Sequence, residues 1–166
     1  MAASQPPPSA AIRLGSPEQT LGLAARLGRA LQVGDVIAMT GPLGAGKTTF
    51  VQGLALGLEV PAGRHVASPT FALANEHEGR IPFVHVDFYR IRSAAELPEL
   101  GLEEAFDRAA TAIEWAERFP DWLPEDVLHL TLEVEAQGTR LLHASSSGPR
   151  SAVLARALAE RAPARR

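Results

Sequence analysis

No cysteine occurs in the 166 residues, which excludes disulfide cross-links, thiolate metal sites and thiol catalysis, and leaves any metal chemistry to oxygen or histidine. No apolar run approaches the roughly 18 residues that a membrane-spanning helix needs. The start, Met1-Ala2-Ala3-Ser4-Gln5-Pro6-Pro7-Pro8, lacks the basic and then apolar pattern of a signal peptide, so a cytoplasmic protein with no membrane contact is expected. Net charge is small as well. A formal −3 gives no general attraction to nucleic acid, so an RNA contact needs a local patch or a partner protein. The sharpest scarcity is lysine: of sixteen lysines and arginines, only Lys47 is a lysine. Arginine has been used wherever either cation serves, which marks Lys47 as a place where a slim point charge is required and a broad planar fork is not, as in a crowded phosphate site.

What is present is an ordinary globular composition, 46% apolar and 21% charged, at a length that suits one domain. Residues 1–11 are rich in proline and alanine and read as a disordered leader, 12–148 as the domain, and 149–166 as a C-terminal helix with an arginine-rich tail. Ser16-Pro17-Glu18-Gln19 combines a capping serine, proline at the first helical position and glutamine at the third, and predicts a helix running toward Gly34. Asp35 to Thr40 predicts a buried strand, and Phe50, Val51, Leu54 and Leu58 recur at helical spacing after Lys47. Pro61 to Asn75 reads as a loop with a short strand near Phe71 to Ala74. Ile81 to Phe88 and Thr111 to Ile113 read as strands, and Ala94 to Phe106 as helix and turn broken at Pro98 and Gly101. Val127 to Glu135 and Thr139 to Ser146 alternate around Ala136-Gln137-Gly138 as a hairpin, and Ser151 to Arg161 predicts a last helix.

Between the strand and the helix at Lys47 lies Gly41-Pro42-Leu43-Gly44-Ala45-Gly46-Lys47-Thr48, which fits G-x-x-x-x-G-K-[ST] at every specified position. Glycines there let successive amides turn toward phosphate, and the helix that follows presents its positive end to them. Lys47 is the candidate bridge to the terminal phosphates, Thr48 the candidate magnesium ligand, and Thr49 a further oxygen contact. The expected ligands are therefore a nucleoside triphosphate and Mg²⁺.

Magnesium bound to nucleotide keeps an oxygen shell and asks for a carboxylate at the end of a neighbouring strand. Asp87, closing Val84-His85-Val86-Asp87, could hold the metal through water or take a proton from attacking water. Glu114, closing Thr111-Ala112-Ile113, could ligate the metal or orient the water. His85 shares a strand face with Asp87 and reads as a packed or hydrogen-bonding histidine. Thr70, in Ser68-Pro69-Thr70, could reach the terminal phosphate from a loop that orders around it. Arg90 and Arg92, close behind Asp87, could face phosphate or a partner or stand as solvated charge, the reading slightly favoured.

Taken together, Gly41 to Phe50, Ser68-Pro69-Thr70-Phe71, His85-Val86-Asp87-Phe88-Tyr89-Arg90, Glu96-Leu97-Pro98-Glu99-Leu100-Gly101-Leu102 and Ile113-Glu114-Trp115 resemble, in order and spacing, the bacterial tRNA threonylcarbamoyladenosine biosynthesis ATPase family TsaE. The resemblance spans roughly Ser16 to Gly148. It implies an α/β fold of the P-loop NTPase type, three-layered, with a mostly parallel central sheet and a C-terminal antiparallel hairpin. It also implies ATP hydrolysis beside TsaD and TsaB homologues, with tRNA met only through that complex. By motif position it assigns phosphate and metal roles to Lys47 and Thr48, acidic roles to Asp87 and Glu114, a switch-like role to Thr70, and a place near the nucleotide to Thr20. Ala116 departs from the family, where a proline often follows the Glu-Trp pair, and the segment beyond Gly148 has no clear counterpart.

Two other activities use the same loop. A small-molecule kinase wants an arginine-rich lid, whereas Arg64, Arg90 and Arg92 are scattered, and a nucleotide-binding scaffold would bind without turnover. A regulatory GTPase is excluded, because its guanine-reading Asn-Lys-x-Asp needs a second lysine.

Overall fold

The computed structural model describes residues 11–61 and 74–160. Seven strands form one sheet: β1 (Ala11–Leu14), β2 (Val36–Thr40), β3 (Ala74–Glu78), β4 (Pro82–Asp87), β5 (Ala110–Glu114), β6 (Leu128–Val134) and β7 (Arg140–Ser146). Their spatial order is β1-β7-β6-β2-β5-β4-β3. The inner strands β6, β2, β5 and β4 pair in parallel. The outer pairs, β1 with β7, β7 with β6 and β3 with β4, are antiparallel. The sheet is thus mixed, with a parallel centre and antiparallel margins, and the expectation of a mostly parallel sheet holds only for that centre. The reason is loop length: a few residues join β3 to β4 and β6 to β7, and a connection that short can only reverse the chain.

Parallel strands buried on both faces read as continuous apolar runs. In β2 the alternation of strand side chains sends Ile37 and Met39 into one core and Val36 and Ala38 into the other. The first core lies under α1 (Pro17–Ala30), α2 (Lys47–Gly57) and α4 (Pro149–Ala159), with Leu27, Phe50, Leu54 and Leu158 among its members. The second lies under α3 (Leu102–Arg108) and the 3-10 turn Ala94–Leu100 and contains Val86, Leu97, Leu102 and Ile113. Three layers result. Among the described residues no helix is long and apolar enough to cross a membrane.

The element boundaries follow local chemistry. Ser16 caps α1 by accepting from the Gln19 amide at 3.2 Å, while the Gln19 side chain accepts from Gly15 N at 2.7 Å. The helix ends at Ala30, four residues short of Gly34, because the Asp35 carboxylate takes the Gln32 amide at 2.8 Å and folds the chain into a turn. Ala11, placed in the leader by composition, is the first residue of β1, a strand too short to announce itself and held by its register with β7 and by an Arg13–Glu135 ion pair. The last helix begins at Pro149 and not Ser151. The Asp126 carboxylate accepts both the Arg150 and Ser151 amides at 2.8 Å, and Arg150 pairs with Asp35 through two 2.8 Å bonds.

Candidate functional site

The glycine-rich turn leaves β2 at its C-terminal end, the end of a parallel sheet where ligands gather. Gly46 has φ +102°, a left-handed conformation that favours glycine, and it caps α2 so that the helix starts at Lys47. A side chain at Gly41 would place a Cβ 2.4 Å from Leu132 O, so the turn is seated directly on β6. Ala45 is buried beneath the turn. Amides in the first turn of α2 have no intrahelical acceptor, and that turn faces a cavity of about 340 Å³.

Lys47 folds back along the turn, donating from Nζ to Gly41 O at 2.5 Å and to Pro42 O at 2.9 Å. Its ammonium also lies 4.2 Å from the centroid of the Trp115 ring. Burial pulls the Lys47 pKa below the ordinary lysine range, against the opposing pull of the Glu114, Glu117 and Asp87 carboxylates. Trp115 adopts φ +56°, and its ring meets that of Tyr89 at 4.8 Å between centroids. The turn carrying Tyr89 is fixed by Arg118, whose Nη1 donates to Phe88 O at 2.7 Å and Tyr89 O at 2.6 Å.

Register brings the acids together. Met39 of β2 stands opposite Glu114 of β5, and Glu114 stands opposite Asp87 of β4, so both carboxylates leave one sheet face at one level. Thr48 Oγ1 donates to Glu114 Oε1 at 2.9 Å, and the other carboxylate oxygen, Oε2, lies 2.5 Å from His85 Nε2. Asp87 Oδ1 accepts from Tyr89 N at 2.9 Å. Both carboxylates and His85 are buried. Among the described residues no three His, Cys, Asp or Glu side chains converge on a metal position. A hydroxyl and one or two carboxylates are a poor cage for zinc or calcium; such a donor set fits a magnesium ion that would complete its shell with phosphate and water.

Leu43, Gly44, Gly46, Lys47, Thr48, Thr49, Asp87 and Glu114 all line the cavity. Thr20 does not. It lines a neighbouring cavity of about 120 Å³, beside Ser16, Gly44, Thr49 and Arg140. Thr70, with the whole Ser68 to Phe71 segment, and Arg64 fall outside the described residues. Arg90, for which the sequence left phosphate, a partner or solvent open, lines the main cavity, as do Tyr89 and Trp115, to which the sequence reading gave no role of their own. Arg140, 96 positions away, donates from Nη2 to Gly44 O at 3.0 Å, and no local pattern marks it.

The fold and site define an α/β protein of three layers whose mixed sheet delivers a Gly-x-x-x-x-Gly-Lys-Thr turn and two carboxylates to one cavity. A family model described as "Threonylcarbamoyl adenosine biosynthesis protein TsaE" matches residues 14–142. The tRNA threonylcarbamoyladenosine biosynthesis protein TsaE of Nostoc sp. (strain PCC 7120) is 42% identical, with 78% of this chain and 81% of that protein covered. Its counterpart in Bacillus subtilis (strain 168) is 35% identical, with 86% and 89% covered. The crystal structure of Bacillus subtilis YdiB has a TM-score of 0.77 and 31% identity, covering 91% of this chain and 94% of that one. The chain belongs to the TsaE family.

Proposed function

We propose that this protein is a magnesium-dependent ATPase required for forming threonylcarbamoyladenosine in tRNAs that read codons beginning with A, and that it acts with TsaD and TsaB homologues without transferring the group itself. The observation that carries the chemistry is the meeting of Lys47, Thr48 and Glu114 around one glycine turn. Family membership carries the pathway. The activity belongs in the cytoplasm, where ATP and tRNA are found, and tRNA is reached through the partner complex.

In this reading the amides of 44–49 receive the phosphate chain, and Lys47 leaves the Gly41 and Pro42 carbonyls to bridge the terminal phosphates. Thr48 and Glu114 hold the metal, with Asp87 in reach through water. Bound magnesium would withdraw charge from the terminal phosphoryl group and fix its orientation. Asp87, level with Glu114 on the same sheet face and lining the cavity, is assigned to orient the attacking water. Arg90, the one arginine lining the cavity among the described residues, offers its guanidinium to the charge that develops on the phosphate oxygens. Turnover alone is expected to be slow and to rise with the partner pair.

Purified protein with ATP and Mg²⁺, alone and with the TsaD–TsaB homologue pair, tests the proposal by where phosphate goes. Release to water, faster with the pair, supports it. Transfer to a small acceptor would make the protein a kinase, and tight retention of intact ATP under all conditions would make it a scaffold.

A further inference from the structure

We propose that His85 is a positioning residue that sets how Glu114 faces the metal, an inference that rests on the magnesium-nucleotide reading above. Strand register creates the contact. His85 stands opposite Ala112, and Asp87 opposite Glu114, so His85 and Glu114 are diagonal neighbours on one sheet face. Ala112 is small and fully buried, which leaves the imidazole room to lean along the strands toward Glu114. Nε2 then meets Glu114 Oε2 at 2.5 Å, with the histidine side chain wholly buried and the glutamate nearly so.

Two details give the contact a direction. His85 Nδ1 is buried with no hydrogen-bond partner. A proton on Nδ1 would find no acceptor, so the proton of the Nε2···Oε2 contact is placed on Nε2, which donates to the carboxylate. The oxygen that receives it, Oε2, is thereby turned to the interior, while Oε1 stays on the cavity side, 2.9 Å from Thr48 Oγ1. A carboxylate oxygen buried without a hydrogen bond is costly and can rotate away. His85 anchors Oε2 and so keeps Oε1 beside the Thr48 hydroxyl. It is wholly buried and is not among the residues that line the cavity, so its effect passes through Glu114. Partners that hold a ligating group from behind typically govern metal affinity by about 10–100-fold.

Replacement chemistry separates this from a merely structural role. Glutamine ends in an amide nitrogen the same number of bonds from Cβ as histidine Nε2, asparagine falls one bond short, and leucine fills volume without a donor. ATP binding to full-length His85→Gln, His85→Asn and His85→Leu proteins is measured by calorimetry in EDTA and across a Mg²⁺ series, with thermal melting alongside. The Leu and Asn variants are expected to need about 10–100-fold more Mg²⁺ for half-maximal effect, while affinity in EDTA stays within about twofold and His85→Gln stays close to wild type. In a Glu114→Ala background the same His85 changes are expected to be silent. A normal Mg²⁺ requirement in the Asn variant, a Gln variant as impaired as Asn, equal losses with and without metal, or a persisting effect in the Glu114→Ala background each overturns the proposal. If His85→Leu does not fold, the Gln and Asn pair decides. A wild-type protein that binds ATP with no response to Mg²⁺ sinks this inference through its premise, and is told apart from a failure of His85 because it precedes any substitution.

Discussion

Thr48 and Glu114, 66 positions apart in the chain, share a 2.9 Å hydrogen bond between hydroxyl and carboxylate at the mouth of the glycine turn. One oxygen comes from the first turn of a helix and the other from the end of the second strand of a parallel pair. That junction is where the proposed metal site lies.

Replacing Glu114 by alanine is expected to leave ATP binding in EDTA nearly intact and to lower phosphate release by about 100-fold, the scale on which a single preorganised group at a developing charge acts. Calorimetry beside a phosphate-release assay checks this. Parallel losses of metal-free binding and hydrolysis would show that Glu114 supports the turn and not the chemistry.

Lys47→Ala is expected to abolish most triphosphate affinity. Lys47→Arg should fail nearly as badly, because the role asks for a point charge that moves from the Gly41 and Pro42 carbonyls to the phosphates, and a planar fork does not reproduce it. Equilibrium binding of ATP to the two variants decides the point. An arginine variant with wild-type affinity would mean that charge alone matters there.

Arg90→Ala is expected to slow phosphate release by about 100-fold with a smaller effect on ATP affinity, the pattern of a group that acts on developing charge. Arg92→Ala is the control. The backbone amide of Arg92 binds the Glu96 carboxylate and its side chain does not line the cavity, so its turnover should match wild type. Steady-state kinetics of both variants with the partner pair provide the comparison.

Acid stability should report the docking of α4. Burial alone would raise the Asp126 carboxyl, but the Ser151 hydroxyl and amide, the Arg150 amide and the Arg150 charge together hold it below the ordinary carboxylate range. A folded-state pKa below the unfolded one means that the stabilisation is complete above about pH 4, the unfolded aspartate value, and is lost as pH falls through the folded value. Asp126→Ala is therefore expected to cost about 1 kcal/mol at neutral pH, the usual worth of a helix N-cap, and to flatten the stability profile below pH 4. Urea unfolding across that range measures both. An unchanged slope would assign acid lability to other carboxylates.

Much of the site was legible because its parts are local. Gly41 to Thr48 is a contiguous segment whose spacing states its own geometry, and α2 begins at Lys47 as its pattern predicts. Asp87 and Glu114 could be picked out as strand ends because each closes a short apolar run. By contrast, β1 was missed, since four residues carry too little pattern and its pairing partner β7 lies more than a hundred residues away. Arg90 and Arg92 could not be told apart for a similar reason: they stand two positions apart in one polar segment, and only the fold shows that Arg90 lines the cavity and Arg92 does not.

The order of residues by itself determined the glycine-rich turn, its lysine and hydroxyl, and which two acids close the neighbouring strands, because those depend on dihedral freedom and on spacing within a single turn or strand. Only the tertiary structure decided which carboxylate oxygen faces Thr48, that His85 stands behind it, and that β1 joins the sheet beside β7. Those are matters of register between strands, and register is set when distant apolar faces pack against one another, a condition that no local stretch of chain contains.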